Sequence, residues 1–189
     1  VLSQYLHSRG LFDIAKSHQV KEVYYNRKNN PENTSVYYAV GWQNENNAWE
    51  FSNAKGFKSC IGAKGISLIP GDAHHVAVFE GYMDYLSWQK LHPETRPTVI
   101  VLNAITMLGY ALERIRSFQT VDVYFDNDSP GQKCTGLLLK EIPHAVDRSY
   151  EYQGYNDYND KLKADLQNIN LKAKESPSEI VSRQTGPKR

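Results

Sequence analysis

Residues 121–131 read Val121-Asp122-Val123-Tyr124-Phe125-Asp126-Asn127-Asp128-Ser129-Pro130-Gly131. A run rich in Val, Tyr and Phe predicts a short strand over 121–125. Two carboxylates follow it directly, and Pro130 and Gly131 open the next helix. In an open parallel sheet, ligands bind outside the carboxyl ends of the strands. Asp126 and Asp128, two residues apart at such an end, can lean into one pocket.

The same grammar recurs upstream. Val78-Phe79-Glu80-Gly81 places Glu80 directly after an apolar strand over 76–79, and Gly81 lets the chain turn. Asp84 follows one turn into a helix over 82–91. A continuous apolar run at 98–102 predicts a strand buried on both faces. Helices are expected over 107–118 and 132–141, and a last short strand over 144–147. Strands alternating with helices of 10–12 residues mean βαβ units and a parallel sheet. A third acidic stretch, Gly154-Tyr155-Asn156-Asp157-Tyr158-Asn159-Asp160, comes after the last strand.

The region before Pro70 is different. Residues 2–19 predict one or two short helices broken at Gly10. Runs rich in Val, Tyr and Trp at 22–25, 36–41 and 48–52 predict a small antiparallel lobe. Residues 26–34 read as a loop, 44–47 as a turn, and the glycine-rich 55–65 as the way out of the lobe. The expected organisation is a small N-terminal α+β lobe over 1–70, an α/β domain over 71–170 and a polar tail over 171–189.

The chain has 189 residues, enough to bury a core without staples. No run of 18 apolar residues is present, so no membrane-spanning helix is expected. Cys60 and Cys134 stand far apart with no partner at ligand spacing, which excludes a zinc ribbon within the chain and a disulfide framework. A cytoplasmic setting follows as the default. The first residue is Val1, which suggests a piece of a longer protein. The net charge of +1 hides a pattern. Residues 1–70 carry 8 basic and 5 acidic side chains, 71–160 carry 7 and 13, and 161–189 carry 7 and 3. An acidic centre between basic flanks suits a carboxylate metal site beside a phosphate-binding surface.

Carboxylates crowded at one sheet edge repel each other, and a divalent cation relieves the repulsion. Mg²⁺ wants hard oxygen ligands and is usually held by one or two carboxylates together with substrate phosphates. It then neutralises charge that develops on a phosphoryl oxygen. Each cluster has a plainer reading as helix caps or turn residues. Three clusters at successive strand ends favour the site.

This pattern resembles the Toprim domain of bacterial primases, topoisomerases and several nucleases. Glu80-Gly81 matches its first motif and Asp126-Asn127-Asp128 its second. Asn156-Asp157-Tyr158-Asn159-Asp160 matches the third motif of primase-type members, with Asn156 where a lysine is usual. Upstream, Tyr5-Leu6, Arg9-Gly10 and Tyr37-Tyr38-Ala39-Val40-Gly41-Trp42 through Trp49-Glu50-Phe51 to Lys58 resemble a primase polymerase core, closest to the primase-like proteins of mobile elements. The resemblance implies a Rossmann-like parallel sheet with flanking helices, and RNA primer synthesis on a single-stranded DNA template from NTPs. It implies Glu80, Asp126 and Asp128 as catalytic residues that, with Asp157 and a share from Asp160, hold Mg²⁺ or Mn²⁺. Lys58, Lys64 and Lys133 are the candidate template or nucleotide ligands, and a replicative helicase is a candidate partner. A Toprim-type nuclease and a non-catalytic nucleic-acid-binding module are the rival readings. His74 and His75, before the first parallel strand, read as loop residues. Cys134, in an apolar helix without a base, is an unlikely nucleophile.

Overall fold

The computed structural model describes residues 2–26 and 35–175. Two short helices, α1 (Leu2–Ser8) and α2 (Phe12–Ser17), lead into an antiparallel meander of β1 (Lys21–Asn26), β2 (Val36–Gln43), β3 (Trp49–Ser52) and β4 (Lys58–Ile61). Its turns are built by asparagine. The buried Asn44 carboxamide accepts from the N–H groups of Asn46 and Ala48, 3.0 and 3.1 Å, and donates to Glu50 at 2.8 Å. Asn53 does the same for Lys55 and Phe57, 2.9 and 3.2 Å. Its Asx turn, with Gly56 at φ +77°, reverses the chain and delivers Lys58 to the start of β4.

The second sheet runs in the order β5-β7-β6-β8-β9, with β5 (Ser67–Ile69) antiparallel and β6 (Asp72–Phe79), β7 (Pro97–Val101), β8 (Thr120–Tyr124) and β9 (Ala145–Asp147) parallel. Period-two alternation divides its side chains between two cores. Val76, Val78, Ile100, Val121 and Val123 pack on one side with residues of α4 (Leu108–Arg116) and α5 (Ser129–Glu141), among them Leu108, Ile115 and Leu138. Ala77, Phe79, Val99, Val101 and Tyr124 face the other side, toward α3 (Tyr82–Leu91) and α6 (Tyr158–Glu175). There Phe79 and Tyr124, adjacent in register, stack at 4.7 Å. The same core takes in Tyr5, Leu11, Val40 and Trp42, so the lobe shares it. Trp42 stacks on Tyr82 at 4.7 Å and donates to Asn103 at 2.9 Å.

The mixed α/β architecture with an antiparallel lobe is the one expected. Three details differ. Residues 55–65 contain β4, and β5 follows. Neither short strand has a run of β-formers long enough to show in the sequence. His74 and His75 lie within β6, whose register shifts between Asp72 and Val76. Helix α6 carries the chain through residue 170 to Glu175. The loop expected over 26–34 lies outside the described residues apart from Asn26, which ends β1, as does the tail beyond 175. Among the described residues no helix is long and apolar enough to cross a membrane.

Candidate functional site

The acidic segments meet because of strand pairing. Strands β6 and β8 are parallel neighbours with Phe79 opposite Tyr124. Glu80 and Asp126 therefore leave the sheet side by side at its carboxyl edge, where the Asp126 backbone favours the Glu80 anion. The third segment is tied onto the second. Asn127 N–H donates to the Asn156 carbonyl at 2.7 Å, and its side chain to that of Tyr155 at 2.9 Å. The buried Tyr152 hydroxyl reaches the Phe125 carbonyl at 2.7 Å. These bonds bring Asp157 to the edge.

Two glycines make the packing possible. A Cβ on Gly131 would stand 2.1 Å from the Asp126 carbonyl oxygen, so only glycine lets α5 rise against that backbone. A Cβ on Gly81 would meet the Asp84 carboxylate at 2.7 Å.

Asp84, noted one turn after Glu80-Gly81 but not among the expected ligands, joins the cluster. Eight of the ten residues of α3 are buried, Asp84 among them. It accepts from the Asn159 N–H at 3.2 Å. Asn159 is wholly buried and links three elements. Its amide donates to Ser87 Oγ and to the Arg9 carbonyl, both 2.9 Å, and its oxygen accepts from the Arg9 guanidinium at 2.9 Å. Arg9 and Asn159 thus tie the N-terminal stretch to the site. The motif placed them in the sequence, but only the fold shows what they hold.

The electrostatics are those of an uncompensated acidic pocket. Burial raises Glu80 above the ordinary carboxylate range, the Asp128 charge raises it further, and Lys58 opposes. Asp126 is pushed up to about 7 by burial, then by Glu80 and Asp157. Burial and the charges of Asp157 and Asp126 raise Asp84 well above its usual value. Lys58 acts on all three from the lobe. Glu80 Oε2 is buried without a hydrogen-bond partner, and so is Ser52 Oγ, whose residue is the register partner of Lys58.

The remaining candidates divide. Asp128 is exposed and spends Oδ1 capping α5, 2.8 Å from Gly131 N. Asp157 caps the start of α6, 2.6 Å from Asp160 N. Asp160 pairs with Lys163 at 2.6 Å. The plain capping role therefore holds for both caps, alongside their charge on the pocket. Lys64 is exposed in the segment leaving β4. Lys133 lines a groove between α4 and α5 with Leu112, Leu137 and Glu141. Among the described residues, no three His, Cys, Asp or Glu side chains stand close enough to hold a metal ion as placed. The donor set still fits a hard cation in kind. It is all oxygen, one buried oxygen is orphaned, and mutual repulsion raises its proton affinity.

Residues 77–162 match the family described as Toprim-like. The chain carries a Toprim-like domain. Residues 1–62 match a family described as a domain of unknown function, DUF8464. No curated protein matches. Among solved structures, the primase fragment of the bacteriophage T7 primase-helicase protein superposes with a TM-score of 0.64 at 15% identity, over 90% of this chain and 72% of that one. A DNA primase domain from Pseudomonas aeruginosa gives 0.54 at 17%, over 90% and 70%. The Aquifex aeolicus primase, with zinc-binding and RNA polymerase domains, gives 0.57 at 15%, over 90% and 55%. At these identities the likeness is one of fold. The Toprim-like domain and the lobe ahead of it share the architecture of bacterial and phage DNA primase cores.

Proposed function

We propose that the chain is the core of a primase-like nucleotidyltransferase that makes RNA primers from NTPs on single-stranded DNA. The observation that carries this reading is the frustrated carboxylate pocket of Glu80, Asp126 and Asp84 at the carboxyl edge of the Toprim-like sheet. Burying carboxylates together without matching cations costs stability unless a bound group compensates. Glu80 and Asp126, with Asp128 and Asp157 beside them, are the residues that would hold Mg²⁺ or Mn²⁺. The cation would supply positive charge for the triphosphate and for the attacking 3′-oxygen.

The chain's own residues set the geometry. The Asn127 bonds to residues 155 and 156 hold the three acidic segments in one arrangement. Lys58 brings a positive charge from the lobe to the pocket, where it suits template or nucleotide phosphates. Lys64 and Lys133 lie beyond the charges that act on the three acids and are proposed only as outer contacts.

The raised Glu80 favours a second reading. A half-buried carboxyl group at the pocket can serve as general acid or base in a Toprim-type nuclease. One assay separates the two. The protein is incubated with single-stranded DNA, labelled NTPs and Mg²⁺ or Mn²⁺. Short labelled RNA is expected. Cleaved DNA without primer would select the nuclease, and neither product would select the binding module.

A further inference from the structure

Resting on the reading above, we propose that one face of the small sheet is a base-stacking platform for single-stranded nucleic acid, built from Tyr24 and Tyr38 and leading past Lys58 to the acidic edge. The register sets the geometry. Glu22, Val40, Ser52 and Lys58 are successive cross-strand partners and form one row over β1–β4. Tyr24 and Tyr38 are partners two residues further along. Alternation puts all six side chains on one face. Val23, Tyr25, Ala39 and Phe51 cluster on the other.

The near end of this face is covered, since Val40 and Trp42 belong to the shared core. The far end is open. Tyr24 is 62% and Tyr38 41% exposed, with Val36, 58% exposed, on the same face. A contiguous exposed apolar patch of this kind marks a contact surface. Cross-strand partners have Cβ atoms about 5 Å apart, so the two rings present one broad aromatic surface. The Tyr24 hydroxyl donates to Glu22 at 3.0 Å, which restrains its ring.

Two features select a nucleic-acid strand as the occupant. The first is continuity. Lys58 lies two strands across and two residues along from Tyr38, about 12 Å by ordinary sheet spacings. Its charge already acts on Glu80, Asp84 and Asp126. A strand with bases on the tyrosines would bring its backbone to Lys58 and its next nucleotide to the carboxyl edge. The second is sign. Glu22 repels phosphate from the platform itself, so the backbone turns outward and the bases face the rings. Stacking of this kind is tolerant of sequence, because every base has a π-face.

The test measures binding of a labelled oligothymidylate by fluorescence anisotropy. The variants are Tyr24→Leu with Tyr38→Leu, and Tyr24→Phe with Tyr38→Phe. Both positions are exposed, and thermal melts confirm that each variant folds. The Leu pair is expected to weaken binding about tenfold or more, the Phe pair less than twofold. An abasic strand of equal length should bind wild type and Leu pair alike. Equal oligothymidylate binding by wild type and Leu pair would overturn the proposal. So would an equal loss on the abasic strand, or a change of oligomeric state in place of a change in strand binding. Mn²⁺ titration of the same variants keeps the two readings apart. Ring-dependent strand binding without primer synthesis would leave the platform standing and remove the primase reading.

Discussion

Two aspartates are buried in the α/β domain, and their surroundings are opposite. Asp122, 5% exposed in β8, is gripped by an imidazole and a guanidinium. His75 Nε2 lies 2.8 Å from one oxygen and Arg148 Nε donates to the other at 2.7 Å. Asp84, 8% exposed in α3, has one backbone N–H and two more carboxylates for company. The first is a finished ion pair within the sheet, built from mid-strand Asp122 and from Arg148 just past one of the strands. The second belongs to an unfinished cluster at their carboxyl ends. Such an imbalance is the physical mark of a candidate functional site.

Removing a member of the unfinished cluster should cost activity and not stability. Asp126→Ala or Glu80→Ala is expected to lower primer synthesis by about 10²-fold or more, because substrate alignment is lost with the ligand. The melting temperature should hold or rise, since one repelling charge is gone. Primer synthesis at the wild-type rate by either variant would take these residues out of the mechanism.

The finished pair should behave the other way. Asp122→Ala leaves Arg148 and His75 without their partner, but both are partly exposed and regain water. The expected cost is ~2–3 kcal/mol, below that of a fully buried pair. That lowers the melting temperature by about 5–10 °C at this size. Arg148→Ala should cost at least as much, because Asp122 is too buried to rehydrate. Activity per folded molecule should stay near wild type in both. A selective loss of activity in Asp122→Ala would break the comparison.

The two aspartates could not be told apart in the sequence. Asp122 sits mid-strand between valines, where a charge is unexpected, and its partners lie 47 and 26 residues away. Asp84 sits in a helix buried almost all round, so periodicity gives no inward face to assign it to. Glu80, Asp126 and the parallel strands were legible because strand ends and glycines mark them locally. Lys58 could be named with Lys64 and Lys133 but not told apart from them, because an exposed lysine carries no positional signal. Only the Asn53 turn decides that Lys58 faces the pocket.

The unfinished cluster should also respond to pH. Asp126 ionises at about 7 in the fold. An unfolded aspartate ionises near 3.9. The folded state therefore binds the extra proton between those values, and stability falls as pH rises from about 4 to about 7. The raised Glu80 and Asp84 act in the same direction. Asp126→Asn removes one such contribution. The variant should melt a few degrees above wild type at pH 8, with the gap closing toward pH 4. Added Mg²⁺ or Mn²⁺ should narrow the gap at pH 8 by stabilising wild type. A gap that widens toward low pH would mean that Asp126 is stabilised as the anion, contrary to an unfinished cluster.

The smallest effect separates two lysines of the same lobe. Lys58 lowers the proton affinity of Glu80, Asp84 and Asp126. Lys64 instead stands near Cys60, whose thiol burial pushes up to about 11. Lys58→Met should raise the Asp126 ionisation further above its value of about 7, by a few tenths of a unit, because the charge is exposed and screened. Carbon-13 NMR titration of the aspartate carboxyl groups reads this directly. The shift should shrink at 1 M salt, where the screening length falls to about 3 Å. Lys64→Met should leave the Asp126 titration where it was. Equal shifts from both lysines would make the effect one of net charge, and Lys58 would lose its place as the cation that reaches from the lobe to the carboxyl edge.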